Sequence, residues 1–302
     1  MNEETVASRL RDFERRVGFS TASLPNRTLT EAADIGRGLG MNVIELLSFA
    51  GYRHTAGELA GEYLDQLDET GLETLRELLQ PFRGIGIHAP FWDVAPFSPN
   101  PVVRDAARTQ LRKTLTAAGA IGANTVTTHV IPRAGREFEA YRDEVIALYR
   151  ELGDVAAEAG VTLTIETIFP REIEEFAALI HGIAHPAVGA NVDVGHLRGL
   201  LSEKQRRPEA LAEAYNDLLR RHVLSLGERV YHMHLHDVQA EGVRDHRECG
   251  TGVIHYPALF GLLADVDYSG LFVFELEEAD DAAALGRSRD VIINAMRRTV
   301  VA

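Results

Sequence analysis

Arg229–Asp237 reads RVYHMHLHD, and Val188–Val194 reads VGANVDV. Successive side chains of a strand point to opposite faces, so His232, His234 and His236 lie together on one face of the first stretch. In the second, Val188, Ala190 and Val192 point one way, and Gly189, Asn191 and Asp193 the other. An apolar side backed by a polar one suits a strand whose outer face meets helices and whose inner face lines a lumen. Working outward, the same period-two pattern recurs in Val17–Ala22, Asn42–Phe49, Gly84–Pro90, Asn124–Ile131, Val161–Thr167 and Leu271–Glu277. Helical-period stretches lie between these segments, which is the signature of βα units and a parallel sheet.

Val103, Ala107, Leu111, Leu115 and Ala118 recur at steps of three and four residues, as do Val145, Leu148, Leu152 and Val155. Both stretches predict amphipathic helices. Gly57–Gln80 reads as a helix broken at Gly71, with Pro81 marking its end. No Gly-rich dinucleotide fingerprint follows the first strand, and eight βα units in 302 residues favour a closed (β/α)8 TIM barrel over an open doubly wound sheet. No Ser/Gly/Pro-rich linker divides the chain, so the expectation is one domain over 1–302, with 1–15 as an N-terminal helical extension.

The 31 Lys and Arg against 45 Asp and Glu give a formal charge of −14, and 45% hydrophobic with 25% charged residues is the composition of a globular chain. Disorder, collagen-like repeats and coiled coil are excluded as the main architecture. Phosphate binding needs Lys and Arg, so this balance makes nucleic acid a poor partner. Cys249 is the sole cysteine, which rules out an internal disulfide and fits a reducing compartment; the cytoplasm is the expected location. No run of 18 apolar residues predicts a membrane span.

Active sites of such barrels lie at the C-terminal ends of the strands. Alternation turns Thr162, Thr164 and Glu166 inward on the fifth strand, Asp193 inward on the sixth and His234 inward on the seventh, with Glu275 following Val273 on the eighth. His88 shares a face with Gly84 and Gly86, and His129 with Thr125 and Thr127. Glu166, Asp193, His234 and Glu275 supply three carboxylates and an imidazole, a donor set suited to Mn2+, Mg2+, Co2+ or Zn2+. Any one such carboxylate is more often an ion pair or a helix cap. Three together without a cation repel one another and are driven toward protonation.

These residues sit in GIHAPF (Gly86–Phe91), TTHV (Thr127–Val130), TIETI (Thr164–Ile168), NVDVGH (Asn191–His196), YHMHLHD (Tyr231–Asp237), HRECGTG (His246–Gly252) and FVFELE (Phe272–Glu277). Taken jointly, the motifs resemble the xylose-isomerase-like barrel superfamily, which holds sugar isomerases and epimerases, inosose-converting enzymes and endonuclease IV. The resemblance implies one divalent metal ion on Glu166, Asp193, His234 and Glu275. It also implies a substrate pocket of His88, Trp92, His129, His196, His236, Arg244 and His246, and a homo-oligomer, dimer or tetramer. Arg244-Asp245-His246 puts arginine where the endonucleases carry the aspartate of an Asp-x-His zinc pair. The first strand lacks their Gly-x-His-x-Ser element, and the arginine signature of ketose 3-epimerases is likewise absent.

The expected chemistry is isomerisation or epimerisation of a small sugar or polyol ketone. Glu166 and Glu275 take and return a proton on opposite faces of the substrate, and the metal stabilises the enediolate. Inosose dehydration or an oxo-sugar lyase step on the same scaffold is the alternative. Endonuclease-like repair and a noncatalytic sugar-binding barrel come after it.

Overall fold

The computed structural model describes residues 3–54 and 57–301. Eight parallel strands close into a barrel in sequential order: β1 (Val17–Ser20), β2 (Val43–Leu47), β3 (Gly84–His88), β4 (Thr125–Thr128), β5 (Thr162–Glu166), β6 (Val188–Asp193), β7 (Val230–Leu235) and β8 (Leu271–Phe274). β8 pairs back onto β1 through Val273 opposite Gly18. Helices follow the strands in turn: α2 (Leu29–Gly38), α3 (Glu69–Leu79), α4 (Pro101–Ala120), α5 (Arg142–Ala159), α6 (Ile173–Ile183), α7 (Pro208–Leu226), α8 (Tyr256–Asp265) and α9 (Asp281–Val301), while α1 (Glu3–Arg15) precedes β1. Every predicted strand is present, and the ends are shorter than the alternation suggested. The first strand stops at Ser20 because its hydroxyl accepts the Ala22 N–H and turns the chain into a short 3-10 segment.

Helix ends follow their capping residues. Thr28 and Glu31 form a reciprocal capping box on α2, and Asn100 caps α4 with Pro101 in its first turn. α5 ends at Gly160, in the left-handed conformation that glycine adopts without strain. The predicted broken helix over Gly57–Gln80 is corrected to an extended stretch and a 3-10 turn followed by α3 alone. Asp68 caps α3 by accepting the Gly71 N–H at 2.8 Å, so Gly71 belongs to the first turn and is no break.

The outward faces of the strands and the apolar stripes of the helices form one core. It includes Val188, Ala190 and Val192 of β6, Leu111 and Leu115 of α4, and Val145, Leu148 and Leu152 of α5. Val103 faces solvent and Val155 is only partly buried against that core, so the two stripes are narrower than their spacing predicted. Met1 and Asn2 of the expected N-terminal extension lie outside the described residues. α1 is fixed by Phe13, whose ring packs 4.9 Å from Phe272 and 5.1 Å from Phe260. Burying such a side chain contributes on the order of 2–3 kcal/mol. Inside the barrel the register sets Glu166 beside Asn191 and Asp193 beside His234, which stacks the polar inward faces at one end.

Candidate metal centre and active-site pocket

Four side chains from four successive strands meet at that end. His234 Nδ1 lies 3.1 Å from Glu275 Oε2, 3.5 Å from Glu166 Oε2 and 3.8 Å from Asp193 Oδ2. The four ligand atoms fall within 4.8 Å of one another. Three largely buried carboxylates this close together are costly unless positive charge balances them. A divalent cation among these oxygen donors and one imidazole nitrogen supplies that charge, so the donor set fits one. This is the quartet expected from the alternation of β5 to β7 and the residue just beyond β8.

Each carboxylate is held by its own neighbours. Asp193 Oδ1 accepts the Gly195 and His196 N–H groups at 2.8 and 3.0 Å, and His236 Nε2 sits 2.9 Å away. Glu166 Oε1 faces His196 Nδ1 at 3.2 Å, and its Oε2 faces His88 Nε2 at 3.3 Å and His129 Nε2 at 3.2 Å. Burial pushes the Glu166, Asp193 and Glu275 carboxyls up. Neighbouring imidazolium charge outweighs it and holds all three ionised at neutral pH. Burial opposes charge on His234, but Glu45, Glu166 and Glu275 hold its pKa well above the ordinary value. His196 is raised in the same way, to about 9, against its burial by Asp193 and Glu166. Without a cation, imidazolium charge therefore balances the carboxylates.

Two further groups flank the quartet. His88 Nε2, His129 Nε2 and Glu166 Oε2 form a triangle with sides of 3.2 to 3.3 Å. On the other side Asp193, His196 and His246 bring three ligand atoms within 4.8 Å of one another. Each flanking group shares a carboxylate with the quartet.

A cavity of about 180 Å3 opens over these groups, lined on one side by His88, His129, Glu166, His196, His246 and Glu275. The opposite wall is apolar, built by Phe49, Leu59, Phe91 and Trp92. Phe49 anchors that wall with ring contacts 5.3 Å from Phe91 and 5.4 Å from Trp92. Of the residues expected in a substrate pocket, His88, Trp92, His129, His196 and His246 line this cavity. Two others do not. His236 is sealed behind Asp193: its Nδ1 accepts the His246 N–H at 2.9 Å, which leaves its Nε2–H to donate to the Asp193 carboxylate. Gly195 makes room for that ring, because a Cβ there would lie 2.1 Å from His236 Cε1. Arg244 is exposed and lines a separate outer cavity of about 950 Å3 with Arg27, Arg198 and Arg247, because its strand pairs with Gln239 outside the barrel. That outer cavity meets the inner one at Glu277.

Sequence reasoning missed Glu45, which is fully buried in the lumen and accepts hydrogen bonds from both His232 and His234. Its signal was a lone charge inside the apolar run NVIELL. Phe49, Leu59 and Ile168 of the pocket wall were missed as well. Leu59 and Ile168 stand on loops, and Phe49 lies just past the end of its strand at Leu47, at the close of an almost wholly apolar run.

Among solved structures, a D-tagatose 3-epimerase-like protein is 19% identical, with a TM-score of 0.69 over 94% of this chain and 98% of that one. A xylose isomerase-like TIM barrel protein from Mycobacterium smegmatis in complex with magnesium is 18% identical, with a TM-score of 0.69 over 94% of this chain and 97% of that one. The IOLI protein with a binding zinc atom is 16% identical, with a TM-score of 0.69 over 94% of this chain and 99% of that one. At these identities the likeness is one of fold. Among the described residues no helix is long and apolar enough to cross a membrane. A family model described as xylose isomerase-like TIM barrel matches residues 33–295, and the chain belongs to that family.

Proposed function

We propose that the protein is a divalent-metal-dependent isomerase or epimerase of a small sugar or polyol ketone. The observation that carries this reading is the convergence of His234 Nδ1 with the Glu166, Asp193 and Glu275 carboxylates, 3.1 to 3.8 Å away, at the floor of a small cavity. Resemblance in fold to proteins described as a 3-epimerase-like barrel, a magnesium complex and a zinc-bound barrel supports it. Glu166, Asp193, His234 and Glu275 would hold the ion. Bound there, a divalent cation supplies electrostatic stabilisation as negative charge develops on a carbonyl oxygen.

The chain's own groups divide the remaining work. Asp193 and His234 are wholly buried, whereas Glu166 and Glu275 border the cavity. Glu166 is ionised and can take the proton from the carbon next to the carbonyl, while Glu275, to return one on its own side, must first pick up a proton from solvent or a substrate hydroxyl. His88, His129, His196 and His246 present ring nitrogens to substrate hydroxyls. The apolar wall of Phe49, Leu59, Phe91 and Trp92 excludes water and covers the C–H face of the molecule. About 180 Å3 suits a reacting unit the size of a single sugar ring or a short ketose.

The test is an exchange screen in D2O over free ketoses and inososes with the native metal retained. Incorporation of deuterium at the carbon beside the carbonyl, together with a C-epimer or an aldose, is the expected result. Water loss from an inosose would instead indicate the dehydratase chemistry of the same scaffold. No exchange with any ketone would overturn the proton-transfer reading.

A second reading has its own observation: the two flanking groups share Glu166 and Asp193 with the quartet. Ions bound side by side there would suit phosphodiester hydrolysis. The formal charge of −14 weighs against a nucleic-acid substrate. Three zinc ions per chain with cleavage at abasic sites would select this reading over the first.

A further inference from the structure

β7 carries one histidine more than the quartet and the Asp193 brace use, and β2 carries a carboxylate that borders neither cavity. The two belong together. Glu45 Oε1 lies 2.9 Å from His234 Nε2, and its Oε2 lies 2.9 Å from His232 Nε2. All three side chains are fully buried. Each Glu45 oxygen faces one imidazole nitrogen at hydrogen-bond distance, the arrangement of a carboxylate accepting from two Nε2–H groups.

For His234 the consequence is directional. With its Nε2 committed to Glu45, Nδ1 is the nitrogen left to face Glu275, Glu166 and Asp193. His232 has no partner at Nδ1, so its one hydrogen bond in the lumen is the bond to Glu45. The fold also reserves space for this arrangement. A Cβ on Gly86 of β3 would lie 2.8 Å from Glu45 Oε2 and 3.0 Å from its Cγ, so a side chain there would push the carboxylate off the two rings. Glu45, His232 and His234 could in principle gather a metal of their own. The two 2.9 Å hydrogen bonds already engage the facing atoms with each other, and neither Glu45 nor His232 lines the inner or the outer cavity.

We propose that Glu45 is the positioning residue of the metal centre. It fixes His234 with the proton on Nε2 and aims Nδ1 at the ion, and His232 in turn steadies Glu45. The proposal rests on the metal reading above in one respect, that an ion is what Nδ1 meets. Outer partners of metal-bound imidazoles fix the tautomer and raise ligand basicity, and their loss typically weakens metal affinity about 10–100-fold.

The experiment combines Zn2+ titration against a chromophoric chelator with nitrogen-15 NMR of the histidine rings. Glu45→Gln keeps the side chain's shape while replacing one acceptor oxygen with a donor and removing the charge. The expected result is Zn2+ affinity lower by at least about 10-fold, with the unfolding midpoint of the metal-free protein shifted by no more than a few degrees. In the wild type, His234 Nε2 should carry a proton both with and without Zn2+. Affinity within twofold of wild type, or an unprotonated His234 Nε2 in either state, would overturn the proposal. Should Glu45→Gln fail to fold, the wild-type ring protonation decides alone. A wild type that binds no metal sinks the metal reading, while a His234 Nε2 nitrogen-15 shift in the metal-free protein that Glu45→Gln leaves unmoved would still overturn the claim that Glu45 holds the ring.

Discussion

The cavity has two walls of opposite character. One is written into strands: Glu166 on β5, Asp193 on β6, His234 on β7 and Glu275 just past β8, each braced by a hydrogen bond or a charge from an adjoining element. The other is carried by loops after β2 and β3, where Phe49, Leu59, Phe91 and Trp92 touch one another through ring and side-chain packing. A rigid polar wall can place charges to within a fraction of an ångström, which metal binding and proton transfer need. An apolar loop wall can shape and dry the space above them without touching those charges. The two walls should therefore fail differently when altered.

The largest effect is expected on the polar wall. Glu166→Gln keeps the shape of the side chain and removes both a ligand charge and the proposed base. Steady-state turnover should fall by at least about 10³-fold, and titrated metal affinity should weaken with it. Turnover near the wild-type rate would detach catalysis from this wall altogether. Glu275→Gln should act in the same direction.

The second effect concerns pH and sharpens the contrast, since the apolar wall near Trp92 contributes no competing proton. In the metal-free protein the carboxylates hold His234 protonated well above its ordinary pKa. Coordination needs the Nδ1 lone pair, so the ion displaces a proton. Below that raised pKa, affinity must fall as pH falls, by about tenfold per unit for each proton released, or roughly 100-fold between pH 8 and pH 6 for one proton. Titration calorimetry in two buffers of different ionisation enthalpy reads the proton count directly. An affinity flat with pH would mean that His234 is no ligand.

The smallest effect belongs to the apolar wall. Trp92 is partly buried and packs at a tilt against Phe91, with ring centroids 4.7 Å apart. Trp92→Ala should raise KM by about tenfold through lost contact area, leave kcat within about threefold and leave metal affinity within about twofold. A variant that lost metal instead would show that the two walls are one cooperative unit.

The difference between the walls also explains how much could be read without coordinates. Period-two alternation fixes which residues of β5, β6 and β7 face inward, so the quartet and the barrel itself were legible. Glu45 obeys the same rule, lying on the face shared by Val43 and Leu47 of β2, yet its hydrophobic neighbours disguised the strand as pure core. Its meaning depends on partners 187 and 189 residues away, which no local pattern reveals. His236 was legible as inward but not as a brace, because its role is set by the His246 N–H approaching from an outside hairpin. Arg244 sits on that same hairpin and lines the outer cavity rather than the inner one. The stretch before α3 was misread because Asp68, and no glycine, decides where the helix begins.

The claim beneath all of this is that one divalent ion sits among Glu166, Asp193, His234 and Glu275. Anomalous diffraction from crystals of the Mn2+-loaded protein tests it most directly. The account predicts a peak bounded by the three carboxylates and His234 Nδ1. A difference map with no peak among those four groups, or with manganese bound only to the flanking histidines, would contradict it.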